Sequence, residues 1–142
     1  RQDEPLRKAL SLYVHIPFCS DVCYYCGCNK IVTRDHARAA QYLDVLAKEM
    51  DLVGKFLTGD REIEQLHFGG GSPTFLDNGE LERVMTMIRQ RFPLQKDGEF
   101  SIEADPRSTP ADKIAKMAEG MQLVKSIVVK GRLVNLIFKP AK

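Results

Sequence analysis

The sequence lacks several features, and each absence excludes a class of protein. No run of eighteen apolar residues occurs in the 142 residues, so they contain no candidate for a transmembrane helix. No secretory signal is recognisable at the start, and no cysteine lies outside positions 19–28. These absences argue against a disulfide-stabilised secreted domain. We expect a soluble cytoplasmic domain with one modest core.

Acidic residues are missing from the last part of the chain. Residues 1–120 carry nineteen Asp and Glu against sixteen Lys and Arg, a net charge of −3, whereas residues 121–142 carry five Lys and Arg and no acid. This positive charge has no aromatic platform beside it, which gives little support for nucleic-acid binding. We therefore expect one unit over residues 1–120 and a divergent basic tail over residues 121–142.

Apolar spacing predicts alternating strands and helices. The predicted strands occupy residues 10–16, 63–68 and 99–104. The predicted helices occupy residues 36–57, the segment after Asp77 and the segment after Thr109. Strands that alternate with helices of this length predict an α/β fold with a parallel sheet and right-handed crossovers.

Each predicted helix has a start signal and an apolar face. The start signals are Asp35 or Thr33 for the first helix, a capping box of Asp77 and Glu80 for the second, and Thr109 with Pro110 and Asp112 for the third. The predicted buried faces are Leu43, Leu46, Met50, Val53 and Leu57; then Leu81, Val84, Met85, Ile88 and Phe92; then Ile114, Met117 and Ala118. We interpret these faces as core.

Four cysteines, at positions 19, 23, 26 and 28, indicate a metal site. Thiolates select zinc, copper(I) or iron–sulfur clusters. A structural zinc site usually has a second ligand pair, and the three histidines match no zinc spacing. Disulfides between such close residues would form small, strained rings. We therefore favour an iron–sulfur cluster, and a structural zinc-binding domain is the alternative.

The spacing within this group narrows the cluster type. Cys19, Cys23 and Cys26 form Cys-x3-Cys-x2-Cys, which would hold three irons of a [4Fe–4S] cluster and leave one iron open, whereas ferredoxin-type carriers use four cysteines. This spacing resembles the signature of radical S-adenosylmethionine (SAM) enzymes. The resemblance implies that SAM binds the open iron. Cys28 is then either a feature of one family or a packed thiol.

Other segments resemble the oxygen-independent coproporphyrinogen III oxidase family. They are Tyr-Val-His-Ile-Pro-Phe-Cys at 13–19, Cys-Gly-Cys-Asn-Lys at 26–30, Gln-Leu-His-Phe-Gly-Gly-Gly-Ser-Pro-Thr at 65–74 and Ser-Ile-Glu-Ala-Asp-Pro-Arg at 101–107. A related haem-chaperone branch usually lacks the second cysteine of Cys-Gly-Cys-Asn. The resemblance runs from about residue 5 to about residue 120. It implies a partial parallel (β/α) barrel of the radical SAM type, truncated to about three βα units.

The resemblance also implies which residues contact SAM. They are Tyr13, Tyr25, Gly70, Gly71, Ser72 and Glu103. The family commonly has threonine where Ser72 stands. The cysteine loop, the glycine run and Glu103 each follow or end a different predicted strand, and the carboxyl ends of parallel strands share one edge of a sheet. We therefore expect these three features together at the carboxyl edge of the sheet, which we call the mouth of the site. His15 and His67 receive no role, and no side chain is assigned as catalytic.

The reaction implied by the resemblance belongs to haem and porphyrin biosynthesis. Two propionate side chains of coproporphyrinogen III would undergo oxidative decarboxylation to vinyl groups, giving protoporphyrinogen IX. A separate electron donor would reduce the cluster, which would cleave SAM to a 5′-deoxyadenosyl radical. By the same resemblance the protein is an oxidoreductase, monomeric and without membrane or nucleic-acid partners.

We recognise no motif of the family in residues 121–142. In the family the barrel continues at this point and a further domain follows. A shifted reading frame, a truncated gene product or a genuinely divergent ending would each explain the mismatch. Two β-prone runs, 123–129 and 133–138, could pair as a hairpin or extend the sheet. We expect little or no oxidase activity from such a fragment. A non-enzymatic haem-chaperone-like or iron–sulfur-binding module is the other alternative.

Overall fold

A five-stranded sheet organises the part of the chain that the computed structural model describes, which is residues 9–20, 30–57, 62–105, 109, 111–117, 121–129 and 133–140. The strands in chain order are β1 (Leu10–Ile16), β2 (Phe18–Cys19), β3 (Ile31–Val32), β4 (Ile63–Gly70), β5 (Leu94–Ala104), β6 (Met121–Val129) and β7 (Leu133–Pro140). The helices are α1 (His36–Gly54), α2 (Asn78–Arg91), α3 (Ala111–Met117) and a 3₁₀ turn at Pro73–Phe75.

The predicted parallel sheet is present in its first three strands. The spatial order is β1-β4-β5-β7-β6, and β1, β4 and β5 are parallel neighbours. β7 then pairs with β5 in the antiparallel direction, and β6 pairs with β7 at the edge. The tail therefore both forms a hairpin and extends the sheet. β2 and β3 form a separate two-stranded parallel pair.

The two faces of the sheet differ in polarity because successive strand residues point to opposite sides. One face contributes apolar side chains to a core shared with the helices, including Val14, Ile16, Leu66, Phe68, Phe100 and Ile102. The other face carries Tyr13, His67 and Ser101, which are aligned across β1, β4 and β5. Helices thus cover the apolar face. The aligned polar side chains lie on the opposite face, close to the carboxyl ends of the strands.

Helix starts follow the predicted capping signals. Asp35 is the N-cap of α1 and its Oδ1 accepts from the backbone N–H of Ala37 at 3.0 Å. At α2 the backbone N–H of Glu80 donates to Asp77 at 2.7 Å, and the N–H of Asp77 donates to the Glu80 carboxylate at 3.0 Å. The predicted capping box is confirmed. Whether Thr109 caps α3 stays a prediction, because residue 110 lies outside the described ranges.

The predicted buried faces need two corrections. α1 ends at Gly54, so Leu57 lies beyond the helix, and Val53 in the last turn is 43% exposed. In α2 Met87 is buried and Met85 only partly so, since Met87 lies beside Val84 and Ile88 on the helical face. Ile114 is partly buried against the core as expected. The side chains of residues 117 and 118 lie outside the described part.

The end of the chain belongs to this core. Leu136 and Phe138 on β7 are buried, and the Phe138 ring stacks on Phe100 with 5.8 Å between ring centroids. Pairing of β7 with β5 thus places apolar side chains beside those of the parallel strands. Among the helices in the described ranges, none is long and apolar enough to cross a membrane.

Candidate functional site

The carboxyl ends of β1, β4 and β5 lie side by side at one edge of the sheet. Ile16 at the end of β1 is aligned with Gly70 at the end of β4, and Phe68 of β4 is aligned with Ile102 of β5. This register brings the start of the cysteine loop, the glycine run and Glu103 to one edge. The topological prediction is borne out for these three features. Tyr25 and the cysteines at 23, 26 and 28 lie outside the described residues.

The glycine run is bonded directly to the segment that carries Cys19. The backbone N–H of Gly71 donates to the Ile16 carbonyl at 2.9 Å, and that of Ser72 donates to the Phe18 carbonyl at 2.8 Å. A Cβ on Gly71 would lie 2.7 Å from Cys19 Sγ, closer than such atoms approach each other. Glycine at 71 therefore lets the two loops touch.

Gly70 is required for a different reason. Its φ of +124° lies in a region that residues with a side chain rarely adopt, and a Cβ there would meet the Ile16 carbonyl oxygen at 2.5 Å. The turn after β4 therefore depends on glycine for both its backbone angle and its packing. Together Gly70 and Gly71 fix the position of Cys19, which is 6% exposed.

Tyr42 of α1 holds the end of β1 from the opposite side. Its hydroxyl donates to the His15 carbonyl at 2.5 Å. Burial is the main cause that raises the pKa of Tyr42 above its ordinary value, and the Glu49 carboxylate adds to it. The phenol thus stays protonated and able to donate at neutral pH, which supports the strand just before the cysteine loop.

The polar face below this edge carries aromatic and ionisable side chains in contact. Tyr13 is 56% exposed, and its hydroxyl lies 3.0 Å from His15 Nδ1. Its ring stacks on His67 with centroids 5.7 Å apart. His67 in turn lies 3.5 Å, Nε2 to Oε1, from Glu103 and 2.6 Å, Nδ1 to Oγ, from Ser101. Two residues expected at the mouth, Tyr13 and Glu103, are therefore joined through a histidine.

Neither histidine had been assigned a role from the sequence. The signal that could have found them is the two-residue alternation of a strand, which places His15 on the same face as Tyr13 and His67 on the same face as Gly69. The contact of His67 with Tyr13 also depends on the pairing register of β1 with β4, which aligns these two residues.

Ser72 is buried in a hydrogen-bonded network behind the mouth. Its hydroxyl lies 3.1 Å from the Thr74 hydroxyl, which lies 2.9 Å from that of Thr109. The Thr109 hydroxyl donates to the Asp105 carbonyl at 2.6 Å. This network ties the loop after β4 to the loop after β5. Sequence reasoning placed Ser72 at the site but did not foresee these partners.

Lys113 of α3 strengthens the same loop. Its ammonium donates to the carbonyl oxygens of Thr74 and Leu76, and the side chain is buried. Burial lowers the pKa of Lys113, and the carboxylates of Asp77 and Glu80 partly oppose that shift. A buried cation thus satisfies two carbonyl groups that helical or strand pairing does not use.

A second group of ionisable residues lies on the helix side, and two of its members, His36 and Asp77, line a pocket of about 300 Å³. His36 stacks on Phe75 with 4.5 Å between ring centroids, and its Nδ1 lies 2.7 Å from Glu80 Oε1. His36, Asp77 and Glu80 have ligand atoms close enough to hold a metal ion. However, both carboxylates accept the capping hydrogen bonds of α2. We interpret this group as a structural link between α1 and α2.

Sequence comparison identifies the family. A model of the Radical SAM superfamily matches residues 13–129. The chain belongs to the radical SAM superfamily. An oxygen-independent coproporphyrinogen III oxidase of Pseudomonas aeruginosa is 51% identical over 106 residues, which are 71% of this chain and 23% of that protein. One of Mannheimia haemolytica is 46% identical over 99 residues, which are 70% of this chain and 67% of that protein.

Structural comparison agrees with this radical SAM assignment. The solved structure of the coproporphyrinogen III oxidase from Escherichia coli, described as a radical SAM enzyme, matches with a TM-score of 0.73 and 47% identity over 78% of this chain and 25% of that chain. Within the superfamily the chain thus belongs with the oxygen-independent coproporphyrinogen III oxidases. It spans about a quarter of the length of the first of these relatives. Its fold is part of the radical SAM barrel.

The described residues fit the cluster and cofactor that this superfamily implies. Cys19, on β2 just beyond the end of β1, supplies a soft sulfur donor that lies against Gly71, and soft thiolates suit iron–sulfur clusters. The neighbouring strand ends provide an aromatic ring at Tyr13 and a carboxylate at Glu103, both on the polar face. An adenosyl group needs surfaces of this chemistry.

Proposed function

We propose that this chain carries the cluster- and SAM-binding part of an oxygen-independent coproporphyrinogen III oxidase. One observation carries the proposal: Cys19, the Gly70–Gly71 turn and Glu103 lie at the carboxyl ends of three adjacent parallel strands. The similarity to coproporphyrinogen III oxidases supports coproporphyrinogen III as the substrate.

The cluster ligands in this proposal are Cys19, Cys23 and Cys26. The three thiolates would each bind one iron of a [4Fe–4S] cluster, and the fourth iron would remain available to the amino and carboxylate groups of SAM. Cys28 is not a ligand. The close contact of Gly71 with Cys19 supports this assignment, because it fixes the first ligand beside the turn that would face SAM. Pre-positioned ligands lower the entropy cost of assembling a site.

The SAM contacts follow from groups that the described residues offer. The backbone N–H groups of Gly71 and Ser72 already donate hydrogen bonds to carbonyl oxygens of the cysteine segment. We therefore assign the carbonyl oxygens of this turn to the amino group of SAM. The Glu103 carboxylate accepts from the ribose hydroxyls, and the exposed ring of Tyr13 packs against the cofactor. Tyr25 lies beside it in the same proposal.

When bound, the cluster and SAM supply the one-electron chemistry that converts propionate side chains to vinyl groups, and an external electron donor starts it. The chain's own residues bind and orient the cofactor. The polar face is open, since Tyr13 is 56% exposed, so water and oxygen reach the mouth. We therefore propose that this chain alone gives little turnover. A cytoplasmic location and a monomeric state belong to the same proposal.

The tail also enters this proposal. We propose that residues 121–142 are a basic segment that diverges from the superfamily after residue 129 and whose strand β7 pairs with the edge of β5. Support comes from the antiparallel pairing of β7 with β5 and from the buried Phe138 ring. The superfamily match extends to residue 129, so it includes β6 and ends before β7.

Anaerobic reconstitution with iron and sulfide tests the proposal. We expect about four irons and four sulfides per chain, as a [4Fe–4S] cluster requires, and formation of 5′-deoxyadenosine when dithionite and SAM are added. Cys19→Ser should lose the cluster, whereas the matched variant Cys28→Ser should keep it. A colourless protein with stoichiometric zinc would contradict the proposal. Rapid formation of protoporphyrinogen IX by the chain alone would contradict the expected weak turnover.

A further inference from the structure

His67 lies between two residues that are proposed to contact SAM. Its ring stacks on Tyr13 at an interplanar angle of 22°, and its Nε2 lies 3.5 Å from Glu103 Oε1. Its Nδ1 lies 2.6 Å from the hydroxyl of Ser101, which is buried. One ring therefore contacts an aromatic side chain, a carboxylate and a hydroxyl at the same time.

The partners of the two ring nitrogens select one tautomer. A neutral imidazole has one N–H donor and one acceptor nitrogen. If Nδ1 carried the proton, the lone pair of Nε2 would face the Glu103 carboxylate and repel it. With the proton on Nε2, the Ser101 hydroxyl donates to Nδ1 and the Nε2–H points toward Glu103. Only this arrangement makes both contacts of a neutral His67 favourable.

The contact with Glu103 suits a positioning role. A distance of 3.5 Å is longer than an ordinary N–H···O hydrogen bond. The ring therefore attracts the carboxylate but does not form a short hydrogen bond with it. Contacts of this kind often tighten when a ligand binds. The contact involves Oε1, which leaves Oε2 to accept from a ribose hydroxyl.

We propose that His67 is the positioning residue of the SAM site. Its ring holds the plane of Tyr13, and its Nε2–H orients the Glu103 carboxylate toward the ribose. This inference rests on the proposed function, because it assigns to His67 the placement of two proposed SAM contacts. Ser101 completes the arrangement by fixing the tautomer of His67.

Three variants separate the contacts of His67. His67→Phe keeps a ring against Tyr13 and removes both polar contacts. His67→Gln can place an amide N–H near the Nε2 position but removes the ring. His67→Asn places an amide near Nδ1 alone. We expect SAM affinity of the cluster-loaded protein to fall about tenfold for His67→Phe, which loses the polar contacts, and about threefold for His67→Gln, which loses the ring contact. His67→Asn loses both the ring and the contact with Glu103, so its affinity should fall about thirtyfold.

The control for this series is His36→Phe. His36 also stacks on an aromatic ring and lies beside a glutamate, but at the pocket on the helix side. Its replacement should leave SAM affinity unchanged. Iron and sulfide content should be equal in all variants, because His67 acts on SAM and not on the cluster. A merely structural role would instead lower cluster content and affinity together.

A second measurement does not need SAM. The ¹⁵N chemical shifts of the His67 ring in the cluster-free protein report which nitrogen carries the proton, and we expect the Nε2–H tautomer. A proton on Nδ1 would overturn the inference. So would equal SAM affinity for His67→Phe and the unmodified chain. Absence of SAM binding by the unmodified cluster-loaded chain would instead overturn the proposed function itself.

Discussion

Replacing Gly71 by alanine should separate the loop after β4 from the segment that carries Cys19. The added Cβ would lie 2.7 Å from Cys19 Sγ and 2.7 Å from the Pro17 carbonyl oxygen, with the Phe18 carbonyl oxygen at 3.0 Å. Two of these three atoms belong to the backbone, so no side-chain rotation relieves the overlap. The loop after β4 and the cysteine segment must move apart, which breaks the hydrogen bond from Gly71 to Ile16.

The size of this effect follows from known costs of overpacking. Forcing a methyl group into a packed site costs about 1–3 kcal/mol, and loss of a backbone hydrogen bond adds about 1 kcal/mol. We therefore expect Gly71→Ala to lower the free energy of unfolding by about 3 kcal/mol and the Tm by roughly 10 °C. Cluster content after reconstitution should fall with it, because the displaced segment carries Cys19.

Urea unfolding of the cluster-free protein and iron analysis of the reconstituted protein measure the two effects separately. Gly54→Ala is the matched control, since nothing lies within 4 Å of a Cβ at that position and Gly54 is the last residue of α1. Alanine there should stabilise the fold by about 0.5–1 kcal/mol. If Gly71→Ala were as stable as the original chain and bound a full cluster, the proposed contact between the two loops would be wrong.

Three further substitutions test other parts of the structure. Phe138→Ala should lower the free energy of unfolding in urea by about 3–5 kcal/mol, because it empties a buried site, whereas Lys139→Ala on the exposed side of the same strand should change it by less than about 0.5 kcal/mol. Equal effects would show that β7 is not part of the core. Asp77→Ala removes a capping oxygen and should cost about 1 kcal/mol in thermal unfolding, and an unchanged Tm would contradict the capping box. Burial lowers the pKa of Lys113 in the folded state, so between the folded and the ordinary pKa the unfolded chain binds more protons. The stability of the original chain relative to Lys113→Met should therefore rise with pH across that window, and a pH-independent difference would contradict it.

Features that depend on local sequence could be predicted. Strand β1, helix starts at Asp35 and Asp77, and most of the buried helix faces follow from apolar spacing and capping chemistry within a few residues. The end of α1 could not be placed as well, because the apolar pattern continues to Leu57 after the helix has ended at Gly54. Tertiary packing decides where such a pattern stops being buried.

Features that depend on strand pairing were harder to predict. The meeting of Cys19, the glycine run and Glu103 followed from a general property of parallel sheets. The contacts of His67 did not, because they require the exact register of β1, β4 and β5. The antiparallel pairing of β7 with β5 is also non-local, since residues 133–140 offer a strand but not its partner.

Whether three cysteines leave one iron open to SAM is tested most directly by electron paramagnetic resonance of the reduced cluster, recorded with and without SAM. We expect SAM to change the spectrum, because its amino and carboxylate groups would bind the open iron. The same change should occur in Cys28→Ser, whose cluster would keep the ligands Cys19, Cys23 and Cys26. A spectrum that SAM leaves unchanged, or a cluster that disappears in Cys28→Ser, would contradict the proposed site.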